Sequence, residues 1–263
     1  MQLSECRALM TGASGGIGQA LVERLCAGGA RLLLAGRHGD ALEASARLHP
    51  GQVALVTADL RLLEGREAVV EAARRLEGLN CVVHAAGVSE FRMLEHQDED
   101  AIDALISLNV TATLQLTCRL LPLLRTAPGA LIVNLGSIFG SIGYPGFATY
   151  CASKFAVRGF SEALRRELSD SRIRVLYVAP RSTRTSMNRD SVVAMNEQLR
   201  VAMDDPRIVA AQIAEAILRE REELYIGWPE KLFVRLNGLL PRTVDQALRR
   251  KLPVVRHFAD HDH

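Results

Sequence analysis

Short apolar runs alternate with stretches whose apolar residues recur every three or four positions through the first 180 residues of this 263-residue chain. The runs at Ala8-Leu9-Met10, 31–35, 53–58, 81–85, 130–135 and 174–179 are continuous enough to predict strands covered on both faces. Leu21, Val22 and Leu25 follow the first run at helical spacing, and further helices are predicted near 39–48, 62–77, 98–124 and 150–169. This alternation predicts an α/β fold with a doubly wound parallel sheet and helices on both faces. The reason is that a right-handed crossover places a helix between successive parallel strands. Ligands of such open sheets bind beyond the carboxyl ends of the strands. Gly12, Arg37, Asp59, Gly87, Ser137 and Pro180 all fall at such ends.

Two stretches at these ends carry chemistry. The first, Thr11-Gly12-Ala13-Ser14-Gly15-Gly16-Ile17-Gly18, joins the first strand to the first helix. Glycines permit a tight turn and let the backbone approach a pyrophosphate, which the positive helix N-terminus holds. Its spacing, Gly-x-x-x-Gly-x-Gly, differs from the commoner Gly-x-Gly-x-x-Gly. The second stretch runs from Ser137 to Lys154. It puts Tyr150 and Lys154 in the first turns of a predicted helix, where an i, i+4 pair shares a face. A phenol with its ordinary pKa of about 10 is a poor proton carrier near neutrality, and a neighbouring positive charge favours its ionised form. Tyr150 then becomes a usable general acid or base. Ser137, at the end of the preceding strand, can hydrogen-bond a carbonyl oxygen on which charge develops.

At the end of the second strand, Gly36 stands where an NAD-selective site places an acid, and Arg37 follows it. A guanidinium matches a 2′-phosphate with paired donors, so NADP(H) is favoured over NAD(H). Asp40 lies past that strand end and is expected to cap the next helix.

With these motifs in view, the chain resembles the short-chain dehydrogenase/reductase family in its single-domain, Rossmann-like form. The resemblance covers Arg7 to about Gly227. It rests on the Thr11 to Gly18 turn, Asp59-Leu60, His84-Ala85-Ala86-Gly87, Asn109, Ser137, Tyr150-x-x-x-Lys154, and Pro180 with Thr185. It implies a catalytic set of Asn109, Ser137, Tyr150 and Lys154, with Lys154 lowering the pKa of Tyr150 and holding the nicotinamide ribose. Asn109 would join the proton relay through a water. Cofactor contacts are implied for Gly12, Ser14, Gly16, Ile17, Gly18, Arg37, Leu60, Ala86, Gly87, Tyr150, Lys154 and Pro180. Asp59 would accept from the adenine amino group, and Thr183 and Thr185 would hold the nicotinamide carboxamide. No metal is implied.

Two positions depart from the family's pattern. His84 replaces an asparagine that steadies the central strand, and it reads as a structural stand-in. Arg181 replaces a glycine, and it either meets an anionic group of the substrate or faces water. The segment to about Asp205 corresponds to the family's mobile lid. The helices 98–124 and 150–169 are those the family pairs between subunits, which implies a homodimer or homotetramer.

The activity implied is an NADP(H)-dependent oxidoreductase. A hydride passes between nicotinamide and the carbonyl or alcohol group of an apolar small molecule, such as a 3-oxoacyl chain, a lipid-like ketone or a steroid. The competing class is a non-catalytic NADP(H)-binding redox sensor or scaffold. Such a protein usually shows damage to the catalytic set, whereas all four residues are intact here.

Composition changes little in this picture. Net charge is +2, which gives no footprint for nucleic acid. Five scattered cysteines without a Cys-x-x-Cys fit reduced thiols in a cytoplasmic location. The polar opening Met1 to Arg7 is unlike a leader, and no apolar run is expected to reach the roughly 20 residues of a membrane span.

Residues 1–227 form the expected catalytic domain, and 228–263 an amphipathic helical extension. Leu232, Phe233, Leu236, Leu239 and Leu240 make an apolar face flanked by Lys231 and Arg235, and Pro241 breaks it. Val244, Leu248 and Leu252 then mark a second helix. Three readings stay open for residues 228–252: a helix over the substrate mouth, an oligomer contact, or a peripheral contact with membrane lipid. His257, His261 and His263 are weak metal-ligand candidates in a polar tail.

Overall fold

Each central strand sends alternate side chains to opposite faces of the sheet, and both faces are apolar. Ala8, Met10, Val83, Val133 and Val178 enter one core cluster, whereas Leu9, Val82, Ile132 and Val175 enter a second. That is why these strands read as continuous apolar runs and not as an alternating pattern. The structure, a computed structural model, describes residues 1–260. His261 and His263, considered above as metal ligands, lie outside the described residues.

The elements in order are β1 (Arg7–Thr11), α1 (Gly16–Ala27), β2 (Arg31–Gly36), α2 (Gly39–Leu48), β3 (Val53–Thr57), α3 (Leu63–Arg74) and β4 (Cys81–His84). They continue with α4 (Glu99–Ile106), α5 (Ala112–Leu124), β5 (Ala130–Leu135), α6 (Ala148–Glu167) and β6 (Ile173–Ala179). The chain closes with α7 (Asp190–Gln198), α8 (Pro206–Leu218), β7 (Glu223–Tyr225), α9 (Glu230–Leu239) and α10 (Pro241–Asp260). The sheet is fully parallel in the order β3-β2-β1-β4-β5-β6-β7. The single domain is thus Rossmann-like. Strand order reverses between β1 and β4, which opens a crevice at their carboxyl ends. Leu21, Leu25, Val209, Ile213 and Ile217 of α1 and α8 cover one face. Val69, Val70, Leu116, Leu120 and Leu164 of α3, α5 and α6 cover the other.

Several expectations need correction. β7 escaped sequence reading because it is only three residues long, Glu223–Tyr225, and buries Leu224 alone. The helix expected over 98–124 is interrupted by a π-helical turn at Ser107–Thr111, in which Asn109 sits. By length and composition, Glu99–Leu124 is apolar enough to cross a membrane, contrary to the sequence expectation. Its apolar side is instead spent on the core, through Leu108, Ala112, Leu116, Leu120 and Leu124. Asp40 does not cap α2: the cap position is His38, and Asp40 lies inside the first turn, where its charge complements the helix dipole.

The extension forms two helices, the second running past Pro253 to Asp260. Val255 and Ala259 pack with Phe91, Phe147 and Cys151, which extends α10 beyond the Val244, Leu248 and Leu252 pattern. Val244 and Leu248 pack on Ile138 and Ile142, next to Ser137. The inner face of the extension therefore belongs to the cavity wall, while Trp228, Leu239 and Leu240 stay exposed.

Candidate functional site

At the crevice, the turn after β1 is held against the end of β4. Gly12 has φ +71°, and a Cβ there would lie 2.4 Å from the Ala85 carbonyl, so only glycine fits. Gly15 is the N-cap of α1 and offers no side-chain cap, which leaves the first amides of this 12-residue helix facing the crevice. A cavity of about 810 Å³ runs from this turn to α9 and α10. Gly12, Ser14, Gly16, Ile17 and Gly18 line it, with Arg37, Leu60, Ala86 and Gly87. Ser137, Tyr150, Lys154, Pro180, Thr183 and Thr185 line it as well. Uncapped helix amides, an arginine and a glycine turn without side chains of its own at Gly12, Gly15, Gly16 and Gly18 form a donor set suited to a dinucleotide.

Asp59 is placed differently from expectation. It does not line the cavity, and its carboxylate is chelated by Arg61, with the closest approach 2.6 Å. The Arg61 guanidinium holds that carboxyl below its usual range. The ion pair occupies the acceptor lone pairs that the sequence reading reserved for adenine.

The catalytic candidates converge. Ser137 ends the segment after β5, and its Oγ accepts from the Phe139 amide at 3.1 Å. Tyr177 fixes the backbone beneath: its phenol donates to the Ser137 carbonyl at 3.1 Å. A Cβ on Gly136 would sit 2.2 Å from the Tyr177 ring, so the phenol end of the ring packs directly against this backbone. Tyr150 and Lys154 lie one turn apart near the start of α6. Lys154 Nζ is 5.6 Å from the centroid of the Tyr150 ring and donates to the Leu135 carbonyl at 2.9 Å.

Burial pushes the Tyr150 phenol up to about 12, opposed by the neighbouring Ser137 hydroxyl. Burial pulls Lys154 down to about 8. Burial, not Lys154, thus governs the phenol in this structure. The phenol consequently keeps its proton at neutral pH, as a donor requires.

Asn109 does not point freely into the site. Its Oδ1 accepts from the Val88 amide at 2.9 Å, and its Nδ2 donates to the Val88 carbonyl at 2.9 Å and to Ser153 Oγ at 3.1 Å. This two-way clasp holds the segment after Gly87 in place, and the π-helical turn delivers it. A Cβ on Gly87 would lie 3.1 Å from Asn109 Oδ1 and 3.6 Å from Lys154 Nζ, so the amide and the ammonium border one small space.

His84 is buried, with its Nε2 2.9 Å from Thr117 Oγ1. Thr117 spends its own proton on the Thr113 carbonyl at 2.8 Å, so Nε2 carries the hydrogen and donates. Burial pulls His84 down to about 4. It is a neutral structural pin between β4 and α5, in keeping with the stand-in reading.

Both alternatives for Arg181 give way to a third arrangement. Its guanidinium donates to both carboxylate oxygens of Asp204, at 3.0 and 2.7 Å, and to the Trp228 carbonyl at 3.0 Å. The segment between is closed at its base by a bridge pairing Thr183 with Asp204. Thr185 packs directly over the glycine turn: a Cβ on Gly16 would meet its Cγ2 at 2.7 Å.

An aromatic wall escaped the sequence reading. Phe139 stacks on Tyr144 at 5.0 Å, and Phe147 on Phe91 at 4.8 Å, with Tyr150 at their edge. The aromatics at 139, 144 and 147 stand between Ser137 and Tyr150, so their position was the available signal. Among the described residues no group of His, Cys, Asp and Glu is arranged to hold a metal.

A family model described as short chain dehydrogenase matches residues 7–196. The chain belongs to the short-chain dehydrogenase family. This oxidoreductase family membership extends to relatives over most of the length. The chain is 32% identical over 230 residues to nodulation protein G of Rhizobium sp. (strain N33), covering 86% of this chain and 94% of that protein. A short-chain dehydrogenase of Burkholderia cenocepacia J2315, solved in complex with NADP, superposes with a TM-score of 0.81 at 26% identity. That match covers 94% of this chain and 99% of the other. A family member from Burkholderia phymatum, solved in complex with NAD, gives a TM-score of 0.81 at 23% identity over 90% of this chain and 94% of its own, a likeness of fold.

Proposed function

We propose that this short-chain dehydrogenase is an NADP(H)-dependent reductase of carbonyl groups, or the reverse alcohol dehydrogenase, acting on apolar small molecules. One observation carries the reading. The Tyr150 phenol, the Ser137 hydroxyl and Lys154, one turn from Tyr150, share the wall of a cavity that also reaches the glycine turn. A dinucleotide held by that turn would supply the hydride from its nicotinamide. Tyr150 donates its proton to the carbonyl oxygen as the alcohol forms, and the Ser137 hydroxyl holds that oxygen. Lys154, pinned to the Leu135 carbonyl, keeps a positive charge beside the phenol as it gives up its proton.

Preference for NADP(H) is supported by Arg37, which lines the cavity with Gly36 and His38, while the nearby Asp59 carboxylate is held by Arg61. The apolar substrate is supported by the far end of the cavity, walled by Ile142, Phe147, Val192, Met195, Phe233 and Leu236. The test is a screen of NADPH oxidation, followed by absorbance, against 3-oxoacyl thioesters, steroid ketones, quinones and small aldehydes. Turnover of an apolar ketone supports the reading, and binding of NADPH without turnover of any member overturns it in favour of a sensor.

A further inference from the structure

We propose that Lys251 receives an anionic group carried by the substrate, so that the preferred substrate is an apolar chain ending in a carboxylate. This rests on the reading of the cavity as a substrate site. Val244, Ala247, Leu248 and Lys251 all line that cavity from α10. Their spacing of i, i+3, i+4 and i+7 puts them on one stripe of the helix. The stripe continues through Val255 and Ala259, which are buried with Phe91 and Phe147. Lys251 is therefore a half-buried cation in the middle of an apolar inward face. The other basic residues nearby on this helix, Arg249, Arg250 and Arg256, are exposed. Among these basic residues Lys251 alone is partly withdrawn from water and lines the cavity, where its long apolar stem joins the stripe and its ammonium is available to an anion.

Among the described residues, nothing meets it. Among the described residues no carboxylate lies within ion-pair distance of Lys251, and no Asp or Glu lines the cavity. The remaining cavity cations are committed elsewhere. Arg181 is paired with Asp204 at 2.7 Å, Lys154 bonds the Leu135 carbonyl at 2.9 Å, and Arg37 stands with Gly36 and His38 at the cofactor end. An apolar acid satisfies the arrangement. Its chain lies against Val244 and Leu248 and the aromatic wall, and its carboxylate takes a charge-assisted hydrogen bond from the Lys251 ammonium.

The test compares binding of decanoate and decanol by titration calorimetry, with the enzyme saturated in NADP⁺ so that the cofactor's phosphates occupy their own cations. Wild type binds decanoate about tenfold or more tightly than decanol, the scale of one hydrogen bond to a charged group. Lys251→Met loses that preference while still binding decanol, Lys251→Arg keeps it, and Lys251→Glu inverts it. Equal affinities in wild type, no binding of decanoate, or a preference that survives in Lys251→Met overturns the proposal. The readout is binding, so a chain that fails the carbonyl screen yet shows the Lys251-dependent preference would lose the reductase reading and keep this one.

Discussion

Arg181 meets Asp204 through two hydrogen bonds, Nε to Oδ2 at 3.0 Å and Nη2 to Oδ1 at 2.7 Å. The pair ties the turn after β6 to the end of the 181–205 segment. Nη1 carries the link on to the Trp228 carbonyl, where the C-terminal extension starts. The arginine stem lies across Gly227, whose φ of +109° and missing Cβ leave room for it; a Cβ would be 2.5 Å from Arg181 Cδ. Side-chain exposures of 17% and 16% mean that both charges are largely out of water. Asp204→Ala strands the guanidinium and is expected to cost about 2 kcal/mol, somewhat below the figure for a fully buried pair. Amide exchange across 181–205 and 228–240 should quicken together. Unchanged protection in both segments would mean that the pair is not a clamp.

Tyr150→Phe removes the proton donor and leaves the ring. The expected loss of turnover is about 10²–10⁴-fold with NADPH affinity nearly unchanged. A variant retaining more than about a tenth of the rate would remove Tyr150 from the donor role.

Arg37→Asp should weaken NADPH by about ten- to a hundredfold, the loss of a charge-assisted contact, and NADH much less. Equal losses for the two cofactors, measured by fluorescence titration, would mean that Arg37 does not read the 2′-phosphate.

His84 makes stability depend on pH. Its folded pKa, lowered by burial from 6.5 to about 4, means that the unfolded chain takes up a proton first as pH falls. The stabilisation is complete above about 6.5 and is lost as pH drops from there toward about 4, by up to about 3 kcal/mol. Thermal unfolding at several pH values should show this slope in wild type. In His84→Asn it should be markedly flatter, and an unaltered slope would assign the acid sensitivity to other groups.

The sheet and its layers were legible in the sequence because burial on both faces leaves a signal that needs no neighbours: a continuous apolar run. The glycine turn and the Tyr150 and Lys154 pair were legible for a similar reason, since each depends on spacing within one element. Three features were not legible. β7 holds only one buried side chain, so it has no period to read. The π-helical turn at Asn109 is stabilised by a clasp to Val88, 21 residues away, which local propensity does not register. Arg181 and Asp59 each looked available for a ligand until folding brought Asp204 to the first and turned Arg61 onto the second.

The sequence by itself determined the fold, the family and the position of the reacting groups, because those follow from local periodicity and short spacings. Tertiary structure alone decided which charges are spent within the chain and which face the cavity. An ion pair forms according to distance and loss of water, and both are set only when segments far apart in sequence pack together. The tertiary structure likewise turned the apolar stripe of α10 onto the cavity, with Lys251 in its middle.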